Sequence, residues 1–226
     1  LRDAVRRRIA GEEGGQWMRS DLLAVLVRHG GSVTPTREMD HYVRPRSFKA
    51  IKERLNTSHV VVITGPSGTG KTLTADILEL ELRRGSPPFD VIGAEHGPGF
   101  VRQHLTRSDP VLFHLRDPWG GNRLTPGADR WSGELPKLLE NAGPGRKFLI
   151  TSRSDVLQST GREWMNDLKS YAVPIEVEDY GSERLAEIYD AIAGDLAGYA
   201  GALSVEYRTR ALKELSRPYE VKRFLV

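Results

Sequence analysis

The stretch HVVVITGPSGTGKTLTADIL, residues 59–78, decides the fold of this 226-residue chain. It starts as an apolar run, passes through a turn that contains three glycines, and continues as a helical pattern. The turn matches the pattern G-x-x-x-x-G-K-[ST] at Gly65, Gly70, Lys71 and Thr72. A strand before this pattern and a helix after it are the context in which it binds phosphate. We therefore predict a phosphate-binding loop (P-loop) between the first strand of a sheet and a helix.

A polyphosphate carries dense negative charge that backbone N–H groups must approach closely, so such a loop needs positions without a Cβ atom. The helix that follows directs its N-terminal dipole and free amides at the phosphates. We expect Lys71 to reach the β- and γ-phosphates of the nucleotide and Thr72 to offer its hydroxyl to Mg²⁺. The nucleotide-binding residues predicted in the loop are Gly65, Pro66, Ser67, Gly68, Thr69, Gly70, Lys71, Thr72 and Leu73.

Composition indicates a globular protein, with 38% hydrophobic and 28% charged residues. No apolar run approaches the roughly 20 residues that span a bilayer, and no apolar stretch follows the early arginines as in a signal peptide. The chain has no cysteine, which excludes disulfides and cysteine metal sites and fits a cytoplasmic protein. We expect a cytoplasmic location and no membrane partner. Because the chain starts at Leu1 and stops inside an apparent helix, we also expect a domain excised from a longer protein.

Five apolar runs alternate with helical patterns along most of the chain. Short apolar strands that alternate with helices favour a mostly parallel sheet covered on both faces. After Tyr180 the strand patterns stop and helical patterns continue to the end. We therefore predict an α/β fold with a five-stranded parallel sheet and a small C-terminal helical lid. The predicted strands are 59–64, 89–93, 110–115, 147–151 and 173–177, and the clearest helices are 71–84 and 133–142.

The patterns divide the chain into three predicted parts. Residues 1–41 form an N-terminal helical extension or linker, 42–180 the nucleotide-binding core, and 181–226 the lid. Within the first part, residues 19–29 have helical apolar spacing. Residues 46–57 are predicted to form an amphipathic helix that leads into the first strand.

A P-loop protein that hydrolyses its nucleotide needs an acid at the end of a neighbouring strand, on the side of the metal ion. Asp117 follows the apolar run 111–115 and supplies such a carboxylate. We expect it to hold Mg²⁺ through the water shell of the ion. The alternative is that Asp117 is only a turn residue in the segment RDPWGG, where aspartate, proline and glycine are all common turn formers.

From Tyr42 to its end, the chain resembles the STAND branch of the AAA+-like P-loop ATPases, and most of all the novel STAND group of bacterial signalling and defence proteins. The P-loop is shared by many families, whereas the ITSR strand end and the acid-Pro-aromatic-Gly turn are more particular to this group. The segments that carry the resemblance are YVRP at 42–45, VVVITGPSGTGKT at 60–72, VLFHLRDPWG at 111–120, KFLITSRSDVL at 147–157 and RPYEVKRFLV at 217–226.

The resemblance implies roles for residues outside the P-loop. Arg153 would sense the γ-phosphate, although it also fits a surface arginine paired with Asp155 or with a helix end. Tyr42 and Val43 would lie along the adenine, with Arg44 as a polar contact. An extended linker imposed by the proline that follows Arg44 is the alternative for this segment.

The same resemblance has two further implications. Pro218 would belong to the lid motif that closes over the base, unless it is an ordinary proline in the first turn of a helix. In the group, two consecutive acids end the strand where this chain has Arg116 and Asp117. Because Arg116 replaces the first acid and nothing places Glu134 near the phosphates, we predict real binding but slow hydrolysis. The predicted catalytic residues are Lys71, Asp117 and Arg153, and the predicted metal-side residues are Thr72 and Asp117.

The histidines do not repeat at metal-ligand spacing, so Mg²⁺ carried by the nucleotide is the metal that we expect. His114 lies inside an apolar run and is predicted to be an interior histidine with satisfied hydrogen bonds. The tryptophans, among them Trp119 and Trp131, form no stripe with arginines and are predicted to pack in the core or in an interface.

These features favour an ATP- or ADP-binding switch in a larger signalling or defence protein, with self-association or an attached effector or sensor domain as partner. A small-molecule or nucleotide kinase is the first alternative, for which the candidate lid segments are LRRG at 82–85 and RSDVLQSTGRE at 153–163. The second is a DNA-associated ATPase that uses the arginines of residues 1–41. The small net charge of +3 makes nucleic acid a weakly supported partner. The chain has no N-K-x-D motif for guanine, which favours adenine.

Overall fold

The computed structural model describes residues 37–93, 97–160, 168–196 and 198–226. The predicted helix at 19–29 and the arginines of the first residues lie outside this part of the chain. In chain order, the described elements are α1 Arg37–Asp40, α2 Phe48–Thr57, β1 Val60–Thr64, α3 Lys71–Arg83, β2 Asp90–Gly93, α4 Pro98–Gln103, β3 Val111–Arg116, α5 Ala128–Leu139, β4 Arg146–Thr151, α6 Ser154–Gln158, β5 Ala172–Pro174, a 3-10 turn Val177–Asp179, α7 Gly181–Gly194, α8 Gly198–Glu214 and α9 Pro218–Leu225.

The five strands form one parallel sheet in the order β2-β3-β4-β1-β5, which confirms the predicted sheet. The P-loop strand β1 therefore lies between β4 and β5, and β3 pairs with β4 on the other side. Carboxyl ends of parallel strands meet at one edge, where open α/β sheets bind ligands. This topology brings the ends of β1, β3 and β4 to the same place.

Side chains of the sheet point alternately to two cores, as expected for a sheet with helices on both faces. One core contains Val61 and Leu112 of the sheet with apolar residues of α2, α3 and the lid helix α7. The other contains Val60 and Phe113 with apolar residues of α4, α5 and α6. The predicted burial of Trp119 and Trp131 is confirmed, since both lie in the second core.

Two predicted elements end in different places from those expected. The last strand stops at Pro174, because Glu176 and Asp179 form a capping box that opens the 3-10 turn. The helix predicted at 133–142 runs from Ala128 to Leu139. Its buried residues at 128, 131, 135 and 138 already have helical spacing before position 133, so the apolar stripe fixes the earlier start.

The lid consists of α7, α8 and α9, packed on each other and on the α3 side of the sheet. Tyr189 of α7 is fully buried and its hydroxyl donates to the carbonyl of Ser204 in α8, at 2.6 Å. Val221 of α9 is also fully buried. Among the described helices, none is long and apolar enough to cross a membrane.

Candidate functional site

The backbone of the P-loop takes conformations that only glycine adopts at low cost. Gly65 has φ of 141°, and a Cβ atom there would lie 2.2 Å from the carbonyl oxygen of Ile175. Gly68 has φ of 83°, and its Cβ would lie 2.9 Å from Cβ of Tyr219 in α9. Glycine is therefore required at these positions for two reasons: the loop backbone has positive φ angles, and neighbouring atoms leave no space for a Cβ atom.

Lys71 opens α3 and lies almost buried beneath the loop. Its ammonium group donates to the carbonyl of Pro66 at 2.6 Å, and the hydroxyl of Thr69 donates to the same oxygen at 3.1 Å. Burial lowers the pKa of Lys71, and the carboxylate of Asp117 opposes this shift. The Tyr180 hydroxyl, at the entrance to the lid, donates to the carbonyl of Thr69 at 3.0 Å. The loop is thus held both by its own lysine and by the lid side of the chain.

Asp117 follows the last residue of β3 and turns the chain sharply. Its φ is 43°, and its N–H donates to the carbonyl of Thr151 at 3.0 Å, which extends the pairing of β3 with β4 by one residue. Its Oδ1 atom is buried and has no hydrogen-bond partner among the described residues. Burial raises the pKa of Asp117, although Lys71 and Arg153 both act to lower it. A buried, unpartnered carboxylate oxygen beside two cations suits a role as a metal-side ligand.

Arg116 lies beside Asp117 in the chain but points to a different neighbour. Its Nη2 atom lies 2.7 Å from Oδ1 of Asp76 and 3.9 Å from Oε2 of Glu79, both on α3. Glu134 is also occupied elsewhere, since it pairs with Arg102 at 2.5 Å. Neither Arg116 nor Glu134 lines the cavity described below.

Glu79 forms the centre of a buried ionic cluster below this edge of the sheet. The exposed fractions of Glu79, Arg83 and His114 are 0%, 4% and 2%. Nδ1 of His114 lies 2.6 Å from Oε2 of Glu79, and Nε of Arg83 lies 2.9 Å from Oε1. Burial by itself raises the pKa of Glu79. The hydrogen bond from His114 and the charge of Arg83 lower it by more, so the pKa of Glu79 is below its ordinary value.

Two predictions bear on this cluster. His114 is an interior histidine as predicted, although only half of its imidazole is satisfied: Nε2 has no hydrogen-bond partner among the described residues. Arg83 belongs to the LRRG segment in which the kinase alternative placed a mobile lid arginine. Because Arg83 is buried and paired with Glu79, it is a structural residue, and that alternative loses one of its candidates.

Arg153 follows β4, whose end runs beside the P-loop: the N–H of Ser152 donates to Ile63 and that of Ser154 to Gly65. Nε and Nη2 of Arg153 donate to the two carboxylate oxygens of Asp155, at 3.0 and 2.5 Å. Nη1 donates to Oδ1 of Asn122 at 3.0 Å. The pairing with Asp155 that the sequence offered as an alternative is therefore present, and Arg153 also lies at the cavity.

A cavity of about 780 Å³ lies between the carboxyl edge of the sheet and the lid. It brings together most of the predicted site residues, from distant parts of the chain: Tyr42, Val43, Ser67, Gly68, Gly70, Lys71, Thr72, Leu73, Asp117, Arg153 and Pro218. Gly65, Pro66 and Thr69 shape the loop without lining the cavity. Arg44 is turned away, because its guanidinium pairs with Glu81 at 3.2 Å and lies over the ring of Phe48.

The two ends of the cavity differ in chemistry. One end carries the P-loop with Lys71, Asp117 and Arg153, which suits phosphate. The other end is lined by apolar and aromatic residues: Tyr42, Val43, Ile188, Ile192 and Leu196. The rim at this end is joined by a contact of 2.9 Å between Nε2 of His41 and Oδ2 of Asp195. A phosphate end and an apolar end in one cleft match the two halves of a nucleotide.

Several lining residues were missed from the sequence, among them Asn122, Tyr180, Asp195, Tyr219 and Lys222. Lys222 could have been found from the sequence. It lies four residues after the predicted Pro218 and four before Val226, which also lines the cavity, so the three share one face of α9 and its end. Asn122 and Asp195 have no such signal, because each enters the cavity from a turn.

The sheet order, the P-loop and the cleft under a helical lid define this protein as a P-loop NTPase of the AAA+ type. Its P-loop and the ends of β3 and β4 line the cleft. The match to the family model of Novel STAND NTPase 3 extends over residues 42–192, more than half of the chain, and the chain therefore belongs to this family. No curated protein matches the chain.

Solved structures give the same fold. The replication initiator DnaA bound to AMPPCP and single-stranded DNA aligns at 14% identity, over 86% of this chain and 65% of that chain, with a TM-score of 0.59. AMPPCP-bound DnaA from Aquifex aeolicus aligns at 14% identity, over 80% of this chain and 61% of that chain, with a TM-score of 0.53. The chain thus spans less than two thirds of the length of these structures.

Proposed function

We propose that this module is a nucleotide-dependent conformational switch, in which ATP or ADP lies between the α/β core and the lid. One observation carries the proposal. The same cavity is lined by the P-loop and by α9, and the N–H of Tyr219 donates to the carbonyl of Gly68 at 3.3 Å. A ligand bound to the P-loop in this cavity would therefore also contact α9, the helix whose position we propose that it controls. Binding energy that differs between two nucleotides can shift the lid only through such shared contacts.

The residues present fit both ATP and Mg²⁺. Glycine backbones with positive φ leave the loop amides free of Cβ atoms, and Lys71 supplies a buried cation. Tyr42 and Val43 give the base an apolar surface at the far end. Thr72 and Asp117 would hold Mg²⁺, which when bound would shield the charge of the phosphates. The AMPPCP bound in the two DnaA structures supports the same class of ligand.

Slow hydrolysis is part of the proposal. Catalysis of phosphate transfer to water needs a group that positions the water, in addition to the metal-side acid. Among the described lining residues, the acids are Asp117 and Asp195, and Asp195 is at the apolar end. Arg116, which stands beside Asp117, is paired with Asp76. Of the described lining residues, this leaves Asp117 as the acid at the phosphate end, where it would serve the metal ion.

We therefore expect the isolated chain to release phosphate from ATP at less than about 0.01 s⁻¹, against roughly 1–1000 s⁻¹ for typical enzymes. Asp117→Asn keeps the shape of the side chain and removes its charge. It should lower this rate further and weaken the dependence of nucleotide affinity on Mg²⁺. Phosphate release and ATP titration on the same samples measure both effects. Turnover in the range of typical enzymes, abolished by Asp117→Asn, would contradict slow hydrolysis.

The signalling or defence role, with self-association or an attached effector as partner, extends this proposal to the whole protein. It follows from the family rather than from a contact in this chain. The discriminating measurement is the mass of the chain in solution with ATP and with ADP. A mass that depends on the nucleotide would support self-association, whereas a monomer in both states would leave an attached domain as the responding partner.

A further inference from the structure

The loop between β3 and α5 presents two polar side chains to the cavity, those of Asp117 and Asn122. Trp119 anchors this loop in the core, fully buried, and its carbonyl accepts from the N–H of Thr125 at 2.9 Å. The N–H of Gly120 donates to the carbonyl of Asp117 at 2.8 Å, which tightens the turn. Between these two fixed points, Asn122 lines the cavity in which Asp117 also lies.

The orientation of the Asn122 amide follows from its partner. Arginine has only hydrogen-bond donors, so the atom that faces Nη1 of Arg153 at 3.0 Å must be the amide oxygen. The NH₂ group of Asn122 is then the part left to face an acceptor. Asp155 holds the other side of the same guanidinium through Nε and Nη2. Of the five N–H groups of Arg153, three are used in these bonds and two remain.

We propose that Asn122 is a specificity-determining residue, which acts with Arg153 to recognise the terminal phosphate of a nucleoside triphosphate. The proposal rests on the proposed function, since it requires a nucleotide on the P-loop. The two side chains enter from separate strand ends, β3 and β4, and are joined by their own hydrogen bond. Together they present only donors at the phosphate end, and a terminal phosphate offers only acceptors. ADP lacks that phosphate, so the pair distinguishes ATP from ADP.

The variant Asn122→Asp distinguishes recognition of the terminal phosphate from a role in stabilising the fold. Aspartate has nearly the same shape and keeps an oxygen for Arg153, but it replaces the NH₂ donor by a negatively charged oxygen. With Mg²⁺ present, calorimetric titration should show ATP binding weakened by about tenfold to a hundredfold, the value of a hydrogen bond to a charged group. ADP affinity should change less than about twofold, within the scatter of surface substitutions. Arg153→Gln should show the same selective loss of ATP affinity.

Asn141→Asp is the matched control, because it makes the same chemical change at an exposed asparagine of the chain that does not line the cavity. Both affinities should stay as in the wild type. Thermal unfolding of each variant checks that the fold is intact. Equal losses of ATP and ADP affinity in Asn122→Asp, or no loss of either, would overturn the proposal while leaving the nucleotide site in place. A wild-type chain that binds neither nucleotide would overturn it together with the proposed function.

Discussion

Lys71→Ala is expected to weaken binding of both ATP and ADP by about a hundredfold. Lys71 is the cation beneath the P-loop, and its ammonium group is almost buried. In such a place a charge-assisted bond to phosphate is worth more than at the surface, since less water competes for it. Removal of the side chain also takes away the bond to the carbonyl of Pro66, so the loop loses an internal support.

Titration of both nucleotides with Mg²⁺ measures this loss. Lys137→Ala is the control, because Lys137 is an exposed lysine of α5 and does not line the cavity. It changes the net charge by the same amount and should leave both affinities unchanged. A Lys71→Ala chain that binds ATP as tightly as the wild type would mean that the phosphates do not lie on the P-loop.

Glu79→Ala is expected to lower the free energy of unfolding by about 3–5 kcal/mol, the usual effect of breaking a buried ion pair from one side. The substitution leaves the guanidinium of Arg83 buried without its partner at 2.9 Å and removes the acceptor of His114. Urea denaturation measures the change. Glu53→Ala, on the exposed face of α2, is the control and should shift stability by less than about 0.5 kcal/mol.

The pH dependence of this contribution has a defined sign. Because the pKa of Glu79 in the folded chain is below its ordinary value, its stabilisation is present above the pKa of the unfolded carboxyl and is lost as the pH falls through the folded value. The stability of the wild type and of Glu79→Ala should therefore converge in acid. A difference that stays constant down to the lowest pH at which both chains fold would contradict an ionised Glu79.

The sequence was most informative where the chemistry is local. The P-loop could be predicted because the strand, the glycines, the lysine and the helix are contiguous, and each has a separate physical reason. The five strands could be predicted because a buried parallel strand is apolar along its whole length. The start of α5 was placed five residues late, because the apolar stripe of the helix already begins with Ala128 and Trp131.

The rest depended on tertiary contacts. Arg116 could be recognised as a cation in the place of an acid, but its partner Asp76 lies 40 positions earlier, on a helix packed against the sheet. From the sequence, Arg153 could either pair with Asp155 or belong to the site. The structure shows that it does both, because it pairs with Asp155 and also lines the cavity. Asn122 stands in a polar turn with no pattern, and its contact with Arg153 is seen only in three dimensions.

The distance between core and lid is the measurement that tests the switch most directly. The chain contains no cysteine, so two introduced cysteines at exposed positions carry spin labels without background. Glu140, at the end of α5, and Val205 of α8, which is 76% exposed, report on core and lid. Pulsed electron paramagnetic resonance gives the distance distribution with a saturating concentration of ATP and then of ADP, each with Mg²⁺. We predict two different distance distributions for the wild type, and no difference between them for Lys71→Ala. Superimposable distributions with both nucleotides bound would show a binding module whose lid does not respond, and would contradict the switch.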